Sequence, residues 1–218
     1  VIARLTFEHS MAGHPWHGSL ARLLASSRIE TPASITKTVA VKDNREGGGI
    51  AGNVNLEFFK GFHFLSTGFW SDGGARYLGG AGPSLVMLQN GAITAPFTTA
   101  LVHSGSGIGG FECAKGNTTL TGLGSAEYFQ RRYGIDPDIK TATYIGYGFP
   151  GSANTNNRII REYSLATTTV LWKNPIYRQL QMVSQSSYVW RALWYVEAGA
   201  PKDAHTMMEF LDLRYVLP

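Results

Sequence analysis

Apolar side chains recur at every second position over long stretches of this chain. Ile50, Val54, Leu56 and Phe58 share one face opposite Asn53, Asn55 and Glu57. Leu180, Met182, Tyr188 and Trp190 oppose Gln179, Gln181 and Gln185 in the same way, and Leu211, Leu213, Tyr215 and Leu217 oppose Asp212 and Arg214. A period of two sends successive side chains to opposite sides of an extended strand. One side then seeks water, and the other seeks lipid or a core. Nine segments read as strands: Val1–His9, Gly18–Glu30, Gly49–Phe59, Phe62–Ser71, Gly107–Ala114, Thr118–Gln130, Arg158–Trp172, Tyr177–Trp190 and Thr206–Leu217. The fifth and sixth, rich in Gly, Ser and Thr, alternate least.

The connections alternate as well, between short and long. Short turns fall at Ser10–His17, Lys60-Gly61, Lys115-Gly116-Asn117 and Lys173–Ile176, and long loops at Thr31–Gly48, Asp72–Ser106, Arg131–Asn157 and Arg191–His205. A Greek-key sandwich has no reason to put every long connection at one end. An antiparallel up-and-down barrel does, with tight turns on one side of a membrane and larger loops on the other. No run of residues approaches the roughly 18 apolar positions a spanning helix needs, so a closed barrel is the membrane-crossing structure left. The expected fold is therefore an all-β, antiparallel up-and-down transmembrane β-barrel over residues 1–218. An odd strand number conflicts with the even count of bacterial single-chain barrels. The expectation is that these residues form the C-terminal portion of a longer barrel.

Aromatic residues gather at predicted strand ends. Phe58, Phe59, Phe62 and Phe64 crowd the Lys60-Gly61 turn, Trp172 and Tyr177 flank the Lys173–Ile176 turn, and Tyr188, Trp190, Trp194 and Tyr195 collect at the far end of that hairpin. Rings with an apolar body and a polar tip suit a headgroup layer. Phe58, Phe64, Trp172, Tyr177, Tyr188, Trp190 and Tyr215 are the expected interface aromatics. Facing the other way, Arg4, Glu8, Arg22, Arg28, Glu57, Gln179, Gln181, Gln185, Asp212 and Arg214 are the expected lumen-facing set, whose mixed charges would create a field across a hydrated interior.

Composition fits this picture. Charged residues make up 16% of the chain, against about 25% in an ordinary soluble domain. Gly accounts for 26 of 218 residues and aromatics for 12%, a mix that twisted strands and interface belts require. The net charge of +4 comes from dispersed Lys and Arg with no basic run interleaved with aromatics, which argues against nucleic acid as a partner. A single cysteine, Cys113, rules out an internal disulfide framework.

Other motifs carry less. Gly105, Gly107 and Gly110 fit G-x-G-x-x-G, but FECAKGNTTL follows, with a turn signal where a dinucleotide site needs a helix. His9, His14 and His17 cluster near the first turn with Glu8 as the one close acid, short of the three or four converging ligands a metal needs. Asn117-Thr118-Thr119 matches a glycosylation acceptor. No G-x-S-x-G, H-E-x-x-H or ordered Ser, His and Asp set is present. Neither enzyme activity nor a cofactor is expected.

At Tyr147–Arg158 (YGFPGSANTNNR), Trp172-Lys173-Asn174-Pro175 and Ala198–Pro218, with GGGIAGNV at Gly47–Val54, the chain resembles a family of uncharacterised Gram-negative outer-membrane proteins with a porin-like C-terminal barrel. The resemblance implies an outer-membrane location and a barrel, and no particular substrate. Together these readings anticipate a porin-like channel in the bacterial outer membrane for passive diffusion of small polar solutes. Membrane lipid is the expected surroundings, with a homo-oligomer or envelope protein as a further partner and Asp72–Ser106 as the expected constriction. The alternatives are a structural or partner-binding barrel without conductance and a soluble β domain.

Overall fold

The computed structural model describes residues 1–31, 41–79, 82–89, 97–138, 143–148, 156–174 and 178–216. In chain order these form β1 (Ile2–Met11), β2 (His14–Thr31), β3 (Val41–Phe59), β4 (Phe62–Asp72), a 3-10 turn (Ala75–Tyr77), β5 (Leu85–Gln89), β6 (Phe97–Leu101), β7 (His103–Lys115), β8 (Thr118–Phe129), β9 (Arg132–Asp138), β10 (Thr143–Tyr147), β11 (Asn157–Asn174), β12 (Arg178–Leu193) and β13 (Asp203–Val216). The protein is all-β and antiparallel. Nine strands make one sheet in the order β1-β2-β3-β4-β7-β8-β11-β12-β13. Each pairs with its sequence neighbours once the small hairpins β5-β6 and β9-β10 are set aside. Among the described residues no pairing joins β1 to β13, and the nine-stranded sheet they form has these two as its outer strands.

The short turns are tighter than the sequence predicts. β1 and β2 pair as far as Met11 with His14, leaving Ala12 and Gly13, both at positive φ, to reverse the chain. At Lys60-Gly61, Gly61 has φ +79° and a Cβ there would lie 2.7 Å from the Ala114 carbonyl oxygen, so glycine alone fits without strain. Conversely, β2 and β3 run further than expected. Lys42 to Gly48, read from sequence as loop, pairs with Leu24 to Glu30, beyond the last β3–β4 pair at Gly48 and Asp72.

Register defines the strand tilt. One row joins Ala3, Arg22, Ile50, Trp70, Gly105, Tyr128, Ile159 and Ala192. From this row the β1–β2 turn is eight residues away (Ala3 to Met11), the β7–β8 turn ten (Gly105 to Lys115) and the β11–β12 turn fourteen (Ala192 to Arg178). The turns step by about one residue per strand, which at about 3.3 Å per residue and 4.8 Å between strands tilts the strands by roughly 35° from the normal to the line of turns.

The two faces of the sheet differ in chemistry. One carries Leu5, Phe7, Trp16, Leu20, Leu24, Ile50, Val54, Leu56, Phe64, Trp70, Phe111, Leu120, Tyr163, Leu165, Met182, Leu211, Leu213 and Tyr215, with glycines between them. Many of these are bare, Leu5 at 75% and Leu211 at 74% exposure. Glu209, held by Ser186 Oγ at 2.6 Å, and Asp203 are acidic residues on this face. Total accessible area is 13997 Å², where a soluble monomer of 23.7 kDa would expose roughly 9,800 Å². Soluble monomers rarely leave a contiguous apolar face of this kind bare.

Candidate functional site: the polar face and its loop cap

The opposite face is assembled in rows by the same register. Thr6, Ser19, Asn53, Thr67, Ile108, Ser125, Glu162, Val189 and Thr206 form one; Glu57, His63, Glu112, Thr121, Ala166, Gln185 and Phe210 form another, nearer the short turns. Hydroxyls, amides and carboxylates dominate, interrupted by Leu65, Leu123, Met208 and Phe210. These polar groups bond to one another along and across strands. Ser19 Oγ donates to Asn53 Oδ1 at 3.0 Å, Ser164 Oγ to Glu162 at 2.8 Å, and Gln185 Nε2 to Ser187 Oγ at 2.9 Å. Ser164 and Ser187 share a further hydrogen bond of 2.7 Å. On β13, Arg214 and Asp212 pair at 3.1 Å.

At the short-turn end Glu57 is a hub. Its carboxylate accepts from the Gly61 backbone N–H at 2.9 Å, with His14 at 3.5 Å and His63 at 3.8 Å, while His63 Nδ1 meets Asn55 Oδ1 at 3.2 Å. His17 turns instead to Glu8, at 3.4 Å. The two histidines of the His14-x-x-His17 spacing thus serve different acids, and no group of three or more His, Cys, Asp or Glu among the described residues is placed to hold a metal.

At the long-connection end the loops fold onto the polar face. Phe129 is fully buried and packs with Ala75, Leu78 and Tyr147, with Phe69, Val86 and Trp194 against them. Phe69 and Phe129 belong to the polar-face register, so this small core is a lid on that face. Polar clamps fix it. Asp43, on the projecting end of β3, accepts from Thr99 N–H at 2.5 Å and from Thr99 Oγ1 at 2.7 Å, while Arg45 Nε donates to Thr99 Oγ1 at 3.4 Å. Thr99 and then Arg45 hold the Asp43 carboxyl below the ordinary carboxylate range. Asp72 contacts His103 where the loop leaves and rejoins the sheet, and buried Ser71 and Ser104 are bonded at 3.1 Å beside them.

The second hairpin is tied down likewise. Tyr147 donates its hydroxyl to the Asn157 carbonyl at 2.6 Å, and burial pushes its phenol well above the usual range. Trp194 Nε1 donates to the Phe129 carbonyl at 2.7 Å. Gly148, at φ +84°, sits where a Cβ would come within 2.9 Å of Arg131 and Trp194, and β9 packs against β5, joining the two hairpins into one cap.

Most of the residues read from sequence as lumen-facing share this polar face: Arg4, Glu8, Glu57, Gln179, Gln181, Gln185, Asp212 and Arg214. Arg22 and Arg28 do not, and are corrected. Arg22 pairs with Ala3 and Ile50 on the apolar face, and Arg28 pairs with Asn44 on the same side. Leu20, Leu23 and Leu24 place leucines on both faces of β2, so alternation there gives no unique phase, and the β1 hairpin sets it. Among the expected interface aromatics, Phe64, Tyr188, Trp190 and Tyr215 lie on the apolar face; Phe58 is exposed beside the register shift between Glu57 and Phe59, stacking obliquely on Phe62 at 6.5 Å. Trp172 is exposed next to a second shift, and Tyr177 falls outside the described residues. The glycines of GSGIGG lie within β7, paired on both sides by β4 and β8, and serve as wall. Asp43, Arg45, Thr99, Glu112 and Glu127 escape the sequence reading; Glu127, which accepts from the Gly79 N–H at 3.1 Å, belongs to the cap's underside. No family model, curated protein or solved structure matches the chain.

Proposed function

We propose that these nine strands are wall of an outer-membrane β-barrel, acting as a porin-like conduit through which small polar solutes diffuse along the polar face. The observation that carries this reading is the bare apolar face set against a polar one on the same strands. Hydrocarbon outside and water inside satisfy both. Two further features support it. The roughly 35° tilt matches the 35–45° that closing a barrel requires. Rings lie toward both ends of the apolar face, with Trp16, Phe62, Phe64, Phe111 and Tyr215 toward the short turns and Trp70, Tyr128, Tyr163 and Trp190 toward the long connections, as two headgroup layers would demand.

The wall needs closure. β1 and β13 are separated by an even number of up-and-down steps, so they run in the same direction, and an odd number of added strands would join them with antiparallel pairs throughout. On this reading the nine strands are part of a larger barrel wall. Solute passage is then gated by the cap, with Asp43, Arg45 and Glu127 nearest its clamps and the Glu57 cluster at the opposite mouth.

Stepwise conductance in planar bilayers tests the proposal. Discrete ion-conducting steps from protein purified in detergent are expected. Absence of steps, with the protein demonstrably inserted, would favour the second reading, a barrel that anchors or binds a partner. The packed core of Phe129, Leu78 and Tyr147 across the polar face is the observation that favours that alternative.

A further inference from the structure

Three arginines at the long-connection end stand on tryptophan rings. Arg161 projects from the apolar face of β11, in register with Ala126 and Trp190, and its guanidinium carbon lies 5.2 Å from the Trp190 ring centroid. Arg158, at the register shift between Asn157 and Ile159, lies 5.1 Å from the Trp194 ring, and Arg131 lies 5.4 Å from the same ring. Tyr128 meets Trp194 edge-on at 6.3 Å. Arg131, Arg158 and Arg161 are all exposed.

A cation seated on a ring uses the flat face of its guanidinium. The N–H edge stays available, and that edge matches two oxygens of a phosphate. Among the described residues no carboxylate lies within ion-pair distance of Arg158 or Arg161. Nearby acids are engaged elsewhere: Glu162 is on the opposite face with Ser164, and Asp203 accepts from Trp190 Nε1 at 3.2 Å.

We propose that Arg158 and Arg161 bind the phosphate of an anionic lipid headgroup at the outer rim of the wall. The lipid source follows from position, because Arg161 shares the apolar face with Tyr163 and Leu165, at 57% and 53% exposure. A soluble phosphate would gain nothing from the apolar strip below, whereas acyl chains would cover it. This inference rests on the membrane reading of the apolar face.

The test compares binding of phosphatidic acid, diacylglycerol of the same chains, and inorganic phosphate to the detergent-solubilised protein, by native mass spectrometry and tryptophan fluorescence. Phosphatidic acid should bind best, and an R158Q/R161Q variant should lose at least tenfold in its affinity. An R158K/R161K variant, which keeps the charge but loses the stacked, paired N–H edge, should fall between the native protein and the glutamine variant, with circular dichroism confirming that all three proteins fold alike. Unchanged affinity in the glutamine variant overturns the proposal. Equal, variant-sensitive binding of inorganic phosphate overturns its lipid part and leaves a soluble anion site. Conductance is read separately, so a protein that conducts without discriminating these lipids refutes this site and not the channel, and one that binds phosphatidic acid without conducting does the reverse.

Discussion

Phe129 and Glu57 sit on the same face of the same sheet, and their surroundings have nothing in common. Phe129 has no exposed surface and is packed by Ala75, Leu78 and Tyr147. Glu57 is wrapped by polar partners, His14, His63 and a turn N–H. A globular β domain would bury apolar side chains along most of its strands. Here packing of that kind is concentrated where the long connections fold back, and the wall strands keep their apolar groups on the far side. The structure thus holds two separable things, a cap that folds by burial and a wall whose strands leave their apolar groups bare.

The largest effect should come from emptying the cap core. Phe129→Ala removes a fully buried ring, which typically costs about 3–5 kcal/mol. Protease nicking of the connections Asp72–His103 and Phe129–Asn157 should appear while the nine-stranded sheet persists by circular dichroism. Ile50→Ala on the apolar wall should change neither. If Phe129→Ala melts the whole protein cooperatively, cap and wall are one unit and the comparison fails.

Next in size is a charge on the apolar face. Leu211→Arg near the middle of β13 should cost about 2–4 kcal/mol of insertion free energy if that position lies at the bilayer centre. Asp212→Asn, one residue on and on the polar face, should cost little. Partition into phospholipid vesicles checks both. Equal behaviour of the two variants would mean that the faces do not see different solvents.

How much of this was legible beforehand follows the range of the forces. Alternation at Ile50 to Phe58 and at Leu180 to Trp190 is local, and the faces it assigns are those the register shows. Short connections were equally readable, because Gly61 and Gly116 mark tight reversals, whereas the hairpins β5-β6 and β9-β10 lie in stretches read as loops. The stretch Lys42 to Gly48 was not legible either, since charged residues and two glycines are poor strand formers. Pairing with β2 extends it, and thereby delivers Asp43 and Arg45 to the cap. Thr99 and Glu127 could not be nominated either. Their partners lie 56 and 48 residues away along the chain, and no periodicity reports such a contact.

A smaller effect separates the two hairpins of the cap. Tyr147→Phe removes the donor to the Asn157 carbonyl and should destabilise the β9-β10 hairpin by about 1–2 kcal/mol. Hydrogen exchange should quicken around Thr143 to Tyr147 and stay unchanged in β5-β6. Spread of the effect to both hairpins would show that contact between β5 and β9 makes them cooperative.

The smallest and most selective effect concerns acid. Asp43 lies on the part of β3 beyond the last pairing with β4, and Thr99 holds its carboxyl below the ordinary value of 3.8. A depressed folded value means that the clamp's contribution is complete above 3.8 and disappears as pH falls through the lower value set by Thr99. Protection of the Thr99 amide, normalised for intrinsic exchange, should therefore be flat from neutrality down to the ordinary carboxylate range and fall only below it. Asp43→Asn keeps the shape and one acceptor but loses the charge, about 1 kcal/mol for an interaction this close to solvent. Its protection should be lower at neutral pH and should lack the acid limb. Were the limb to survive in Asp43→Asn, the titrating group would be another carboxylate, with Asp72 beside His103 the first to substitute.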